Sequence, residues 1–269
     1  MDAFKRYYEA NKGMWDKFAV EHFDSPQYRT KEFLEGGSTL HSIELEELGD
    51  VEGKTLLHLQ CHFGLDTLSW AREGAIVTGV DFSGEAIQMA RHLAQKTGID
   101  GEFIQANIYD LPQILHRQFD IVFTSYGVTC WLHDLTQWAE IITQSLREGG
   151  TFYLAEGHPL MWVFDWDDTD DFRIVRSYFH TSEPNEFEVD GSYAGAKIEE
   201  QNDYEWAWSM GDVLTALATA GLRIEFLHEF AKSPFRNFPF LKRSEEGYWV
   251  YDNPQVQPPL TYSIKASKV

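Results

Sequence analysis

The sequence predicts a doubly wound α/β domain, and three observations carry that reading. Apolar runs of strand length alternate with helical periodicity from about residue 55 to 156. Within them a strand runs into a tight loop at Gly64, and the next strand ends in Asp81. The alternation then breaks and resumes near Ser209. Thr55 to Gln60 reads as a buried first strand, followed by Leu65, Leu68 and Ala71 at helix spacing. Ala75 to Asp81 is the second strand. The next helix presents Ala86, Ala90, Leu93 and Ala94 on one face and stops at Gly98, as a C-cap glycine would. Strand three falls near Phe103 to Ala106 and strand four at Phe119 to Ser125. A helix with Leu135, Trp138, Ile142 and Leu146 follows, and Gly149-Gly150 turns into strand five at Thr151 to Glu156.

From Gly157 to about Trp208 the composition shifts to acidic, aromatic and β-branched residues with no clear helix, which predicts an inserted lid or hairpin. Ser209-Met210-Gly211-Asp212 has the form of a capping box, and Val213, Ala216, Leu217 and Ala220 continue it until Gly221. Leu222 to Phe230 is strand six, and Leu260 to Ala266 is an antiparallel last strand. Ahead of the sheet, Phe4, Tyr8, Trp15 and Phe18 share one helical face within a cover spanning residues 1–50. The expected organisation is one domain over 1–269, with that cover and an insertion at 157–208.

Composition limits the partners. With 43 acidic against 22 basic residues the formal charge is −21, and nucleic-acid binding needs Lys and Arg to displace phosphate counterions. DNA and RNA are therefore not expected as partners. Two cysteines, Cys61 and Cys130, are too few for a disulfide framework or a multi-cysteine zinc site, and a reducing cytoplasm fits. No apolar run is long enough to span a membrane. No metal is expected either. His58, Cys61 and His62 crowd together without a second cluster, and the run Asp165 to Asp171 has Asp170 and Arg176 where a calcium loop needs Gly and Glu.

The informative segment is Thr55-Leu56-Leu57-His58-Leu59-Gln60-Cys61-His62-Phe63-Gly64, then a helix, then Val77-Thr78-Gly79-Val80-Asp81-Phe82-Ser83. Strand, loop, helix, strand and terminal acid form a nucleotide-binding half-fold. The ligand lies beyond the carboxyl ends of the strands, and the acid accepts ribose hydroxyls. A nicotinamide dinucleotide would need bare backbone against its pyrophosphate, where Gln60 and His62 carry side chains.

Read together, these motifs resemble the class I S-adenosylmethionine-dependent methyltransferases over nearly the whole chain. His58 to Gly64 resembles the family's first motif, with Gln60 and His62 in place of two glycines and Cys61 and Gly64 keeping the common pattern. Gly79-Val80-Asp81-Phe82-Ser83 resembles the second, whose acid holds the ribose. Phe103-Ile104-Gln105-Ala106-Asn107-Ile108 resembles the third, where Asn107 and Ile108 would meet adenine. Phe119 to Tyr126 resembles the fourth strand, whose Ser125 and Tyr126 would face the methionine part, and Leu146 to Thr151 resembles the turn into the fifth. The resemblance implies a seven-stranded, mostly parallel Rossmann-like sheet with an antiparallel last strand. It also implies S-adenosyl-L-methionine as cofactor and a methyltransferase acting on a small-molecule acceptor. A non-catalytic binding protein of the same fold is the alternative.

Methyl transfer needs alignment of acceptor and methyl, and a base only where the acceptor is protonated. Glu156 and His158, at the end of a central strand, and His133, after strand four, are the catalytic candidates. Trp131, Trp162 and Trp206 are candidate pocket walls. Trp162, Phe164, Tyr178 and Tyr193 would line an acceptor lid, whose bland alternative is a surface hairpin or a homodimer contact.

Overall fold

A computed structural model describes residues 3–168, 170–195 and 197–269, so Met1, Asp2, Thr169 and Ala196, with the readings that touch them, lie outside the described residues. Three helices come first, α1 (Ala3–Phe23), α2 (Thr30–Leu34) and α3 (Ser42–Leu48). The alternating part follows as β1 (Thr55–Leu59), α4 (Leu65–Arg72), β2 (Ile76–Asp81), α5 (Gly84–Thr97), β3 (Glu102–Gln105), α6 (Leu111–Ile114), β4 (Phe119–Ser125), α7 (Leu135–Ser145) and β5 (Leu146–Gly157). A hairpin of β6 (Asn185–Gly191) and β7 (Lys197–Glu205) precedes α8 (Met210–Thr219) and β8 (Leu222–Phe230). The short strands β9 (Lys232–Ser233), β10 (Lys242–Arg243) and β11 (Trp249–Val250) lead to β12 (Thr261–Lys268).

The main sheet has seven strands in the order β3-β2-β1-β4-β5-β12-β8, parallel except for β12, which is antiparallel to both neighbours. Helices cover both faces, so β1 is buried without alternation from Leu56 to Leu59, His58 included. Leu57, Leu59, Val122, Phe152 and Ile264 pack under Trp138 and Ile142 of α7 and Leu217 of α8. On the other face Leu56, Val77, Phe123 and Tyr153 pack with Trp70 of α4. Three helix starts are capped by side chains, the last as predicted. Ser83 Oγ accepts from Ala86 N at 3.1 Å, Asp134 Oδ1 from Gln137 N at 2.9 Å, and Ser209 with Asp212 closes a reciprocal box on α8. β5 starts earlier than the sequence indicated. Gly149, at φ 71°, makes its turn inside the strand, where the β4–β5 register shifts.

The insertion divides in two. Pro159–Val163 forms a 3-10 turn, and Met161, Val163 and Phe164 join Phe238, Leu241 and Leu260 in a separate apolar cluster. Trp162 packs edge-on against Trp166, and the Tyr178 hydroxyl accepts from Met210 N at the start of α8. The β6–β7 hairpin instead lies on α1, where Asn11 both donates to Tyr204 O (2.8 Å) and accepts from Tyr204 N (2.9 Å), as a strand neighbour would. Of the four aromatic residues expected to line a lid, Tyr193 at the hairpin tip packs against His22 and Tyr28 of the N-terminal cover.

Gly64 is required twice over. Its φ is 78°, and a Cβ there would stand 2.7 Å from Phe103 Cε1 and 3.0 Å from Ala90 Cβ. Gly64→Ala should lose about 2–4 kcal/mol from left-handed strain plus overpacking, read as a lower urea midpoint. An unchanged midpoint would show that Phe103 moves aside freely.

Candidate functional site

At the end of β1 the chain turns left-handed at Gln60 (φ 57°) and again at His62 (φ 50°) before Gly64 opens α4. The two positions where the resembled motif has glycine thus keep a glycine-type backbone while carrying side chains, at a cost on the order of 1–2 kcal/mol each. Four hydrogen bonds hold the turn. Cys61 N donates to Val80 O and Gly64 N to Cys61 O, both at 2.9 Å. His62 N donates to Asp81 Oδ2 at 2.8 Å, and Gln60 Nε2 to Val128 O at 3.1 Å. Gln60 Oε1 is buried without a partner. The Cys61 thiol points into the core, where a Cβ on Gly79 would meet it at 2.8 Å, so this residue can serve a ligand through its backbone alone.

Asp81, at the end of β2, is buried and accepts from Ser83 N at Oδ1 (2.9 Å) and His62 N at Oδ2. Burial raises its carboxyl to about 6 against the pull of these N–H groups. Each oxygen keeps a lone pair, which leaves room for two hydroxyl donors. Ser83 Oγ donates to Asp16 Oδ1 of α1 at 2.7 Å, and Tyr8 of α1 sits over Phe82 with ring centres 5.6 Å apart. Asn107 Oδ1 accepts from Tyr109 N at 3.1 Å and so starts a 3-10 turn, with Ile108 buried beside it.

Beyond β4, Ser125 Oγ donates to Asp66 Oδ2 at 3.2 Å. Tyr126, left-handed at φ 38°, donates its hydroxyl to Glu44 Oε2 at 2.9 Å. Glu44 is fully buried, and desolvation lifts its carboxyl to about 8, which favours its neutral form. The sequence reading passed over Glu44, whose signal was its place three residues after the α3 cap His41.

The three catalytic candidates have other occupations. Glu156 Oε1 accepts from Gly127 N (2.5 Å) and Gly157 N (2.7 Å), and Oε2 accepts from Val128 N (2.7 Å) and Thr129 N (3.2 Å). A carboxylate ringed by four backbone donors pins the loop after β4. His158 Nδ1 accepts from Leu160 N at 3.1 Å, so Nε2 carries the proton and donates to Glu229 Oε1 at 2.8 Å. Both ring nitrogens are engaged. His133 packs among the rings of Phe4 (4.6 Å), Tyr109 (4.3 Å, edge-on) and Trp206 (6.0 Å), on the Asn107 side of the site.

The cover comes from α1 and the hairpin. His22 Nδ1 lies 3.3 Å from His62 Nε2, and its Nε2 lies 2.7 Å from Ser192 Oγ at the hairpin tip. Trp15 stands edge-on to His62 (5.2 Å) and to Trp131 (5.4 Å), and the hydroxyls of Tyr28 and Tyr193 share a hydrogen bond. The sequence placed α1 correctly but gave no role to Asp16, Trp15 or His22. Among the described residues no three His, Cys, Asp or Glu are placed to share a metal ion, and no helix is long and apolar enough to cross a membrane.

Residues 57–154 match the family described as a methyltransferase domain. The chain is 38% identical over 77 residues to a ubiquinone biosynthesis O-methyltransferase of Salmonella arizonae, covering 29% of this chain and 32% of that protein. It is 34% identical over 136 residues to an uncharacterized methyltransferase of Synechocystis, covering 48% and 59%. It therefore spans less than two thirds of the length of these relatives. A solved structure of a putative S-adenosylmethionine-dependent methyltransferase from Listeria monocytogenes shares the fold with a TM-score of 0.61 at 19% identity, covering 84% of this chain and 96% of the other.

Proposed function

We propose that this chain, a class I methyltransferase by its matched domain and its fold, transfers a methyl group from S-adenosylmethionine to a small-molecule acceptor. The observation that carries the reading is Asp81, a buried carboxylate with unused lone pairs facing a left-handed loop at the strand ends. Asp81 would take the two ribose hydroxyls. Phe82, Asn107 and Ile108, under Tyr8, would hold the adenine. The backbone of residues 60–64, with Ser125 and Tyr126, would hold the methionine end. The cofactor supplies a methyl already activated by its sulfonium, so the protein's part is to align the acceptor and exclude water. The aromatic cover of Trp15, Trp131 and Tyr193 suits that exclusion, and the net charge of −21 favours an acceptor other than nucleic acid. The ubiquinone-pathway name of one relative agrees with a small acceptor.

S-adenosylhomocysteine at one hundred times its Kd should stabilise the fold by about 2.7 kcal/mol and raise Tm, whereas NAD should not. Thermal unfolding with each ligand checks this, and stabilisation by NAD alone would overturn the assignment.

A further inference from the structure

Asp203 and Glu205 are alternate residues of β7 and project from one face of it. They are 5% and 8% exposed. The end of that strand meets the loop after β4, since Trp206 N donates to Cys130 O at 2.8 Å. Burial first, and then the charges of Glu205, Glu156 and Asp203, push the Cys130 thiol up, so all three carboxyls lie within electrostatic reach of this loop. The same loop receives Gln60 Nε2 at Val128 O. The carboxyl pair is thus one loop away from the left-handed turn.

Glu156 uses both oxygens on backbone donors, whereas Asp203 takes one backbone hydrogen bond, from Phe187, and Glu205 is raised by burial. Asp203 Oδ1 has no hydrogen-bond partner, nor has the neighbouring Trp206 Nε1, although both side chains are at least nine-tenths buried. The cation that reaches Glu205 is Arg176, whose guanidinium is tied to Phe164 O at 2.6 Å. Two adjacent buried carboxyls that share one guanidinium, itself spent on a carbonyl, are costly to ionise, so burial pushes both up, and a ligand bearing positive charge removes that cost on arrival. Trp15 and Trp131, packed with Phe18, form an apolar wall beside the same loop.

We propose that Asp203 and Glu205 bind the amino group of the methyl acceptor, which is an amine with an apolar or aromatic body. The inference rests on the methyltransferase reading above. The acceptor ammonium gives one proton to a carboxylate of the pair, and the freed nitrogen lone pair forms the bond to the methyl carbon. The carbon–sulfur bonding pair stays on sulfur, giving a neutral thioether. The product leaves as a methylated ammonium, and the proton on the carboxyl passes to solvent. A carboxylate acceptor would meet two acids of its own sign.

Calorimetric titration of the complex with S-adenosylhomocysteine tests this, using phenethylamine, phenethyl alcohol and phenylacetate as probes. The amine should bind at least about tenfold more tightly than the alcohol, and phenylacetate should not bind. Glu205→Gln and Asp203→Asn should each bring the amine to the level of the alcohol while S-adenosylhomocysteine binds as in the wild type. Equal binding of amine and alcohol, or an amine preference that survives both substitutions, overturns the proposal. The wild-type comparison decides alone if neither variant folds. Failure to bind S-adenosylhomocysteine is a different result, and it removes the methyltransferase reading itself.

Discussion

Replacing Glu156 by alanine should unfold the domain or cost it more than about 3 kcal/mol, because four backbone N–H groups lose their acceptor at once. A buried donor left unsatisfied costs about 1–3 kcal/mol, and native domains have about 5–15 kcal/mol in total. The donors are Gly127, Val128 and Thr129, in the loop after β4, and Gly157 at the end of β5. Glu156→Gln keeps one oxygen and turns the other into an amide that faces two N–H groups, so its loss should be about half as large. Urea unfolding of the three proteins gives the order. The loop also accepts from Gln60, so the folded Gln variant should bind S-adenosylhomocysteine more weakly. A proton-accepting role would give the opposite pattern, with stability unchanged and kcat lost. A wild-type midpoint in Glu156→Gln would end the scaffold assignment.

Asp81→Ala should weaken S-adenosylhomocysteine by about 3 kcal/mol, more than a hundredfold, if two ribose hydroxyls each lose a charge-assisted bond worth about 1.5–3 kcal/mol. The pH dependence adds a second readout. The hydroxyls donate to the carboxylate, so the ionised form binds, and burial has raised this group to about 6. Affinity should therefore be full above pH 7 and fall about tenfold by pH 5. The stability of the free protein runs the other way. A folded value raised above the unfolded one contributes stability below the unfolded value of 3.8, and that contribution is lost as pH rises through 6. Asp81→Asn should flatten the affinity profile. A wild-type affinity that does not change between pH 5 and 7 would show that Asp81 does not face the ribose.

The alternating half of the chain was legible because its signals are local. Gly98 ends α5 and the Ser209–Asp212 box starts α8 where the sequence placed them, since a cap depends on residues within four positions. Asp81 was found by the same means, as the acid ending a strand. Glu156 illustrates the limit. Its position at a strand end was evident, but the four donors come partly from a loop on another strand, and nothing in the local sequence announces them. The side chains that α1 turns to the site were missed for the same reason. Asp16 meets Ser83, His22 meets His62 and Asn11 meets Tyr204, each across long stretches of chain. The insertion was read as one unit because its composition is uniform. Its division follows from partners elsewhere, with Phe238 and Leu241 claiming the first half and α1 the second.

The place of β12 in the sheet governs how the domain is assembled. Among the described residues β8 joins the main sheet through β12, which itself pairs with β5 from Thr261 to Ser267. β8 cannot pair into the sheet until β12 has threaded into the gap between it and β5, although α8 can already pack on α7. Loop-closure entropy is spent before any of that pairing is gained, so this closure is expected to slow folding. Until it happens β5 is an open sheet edge, able to pair with other chains. Nascent or heat-stressed protein is therefore most exposed to aggregation along β5, the strand whose last residues, once covered, support the site.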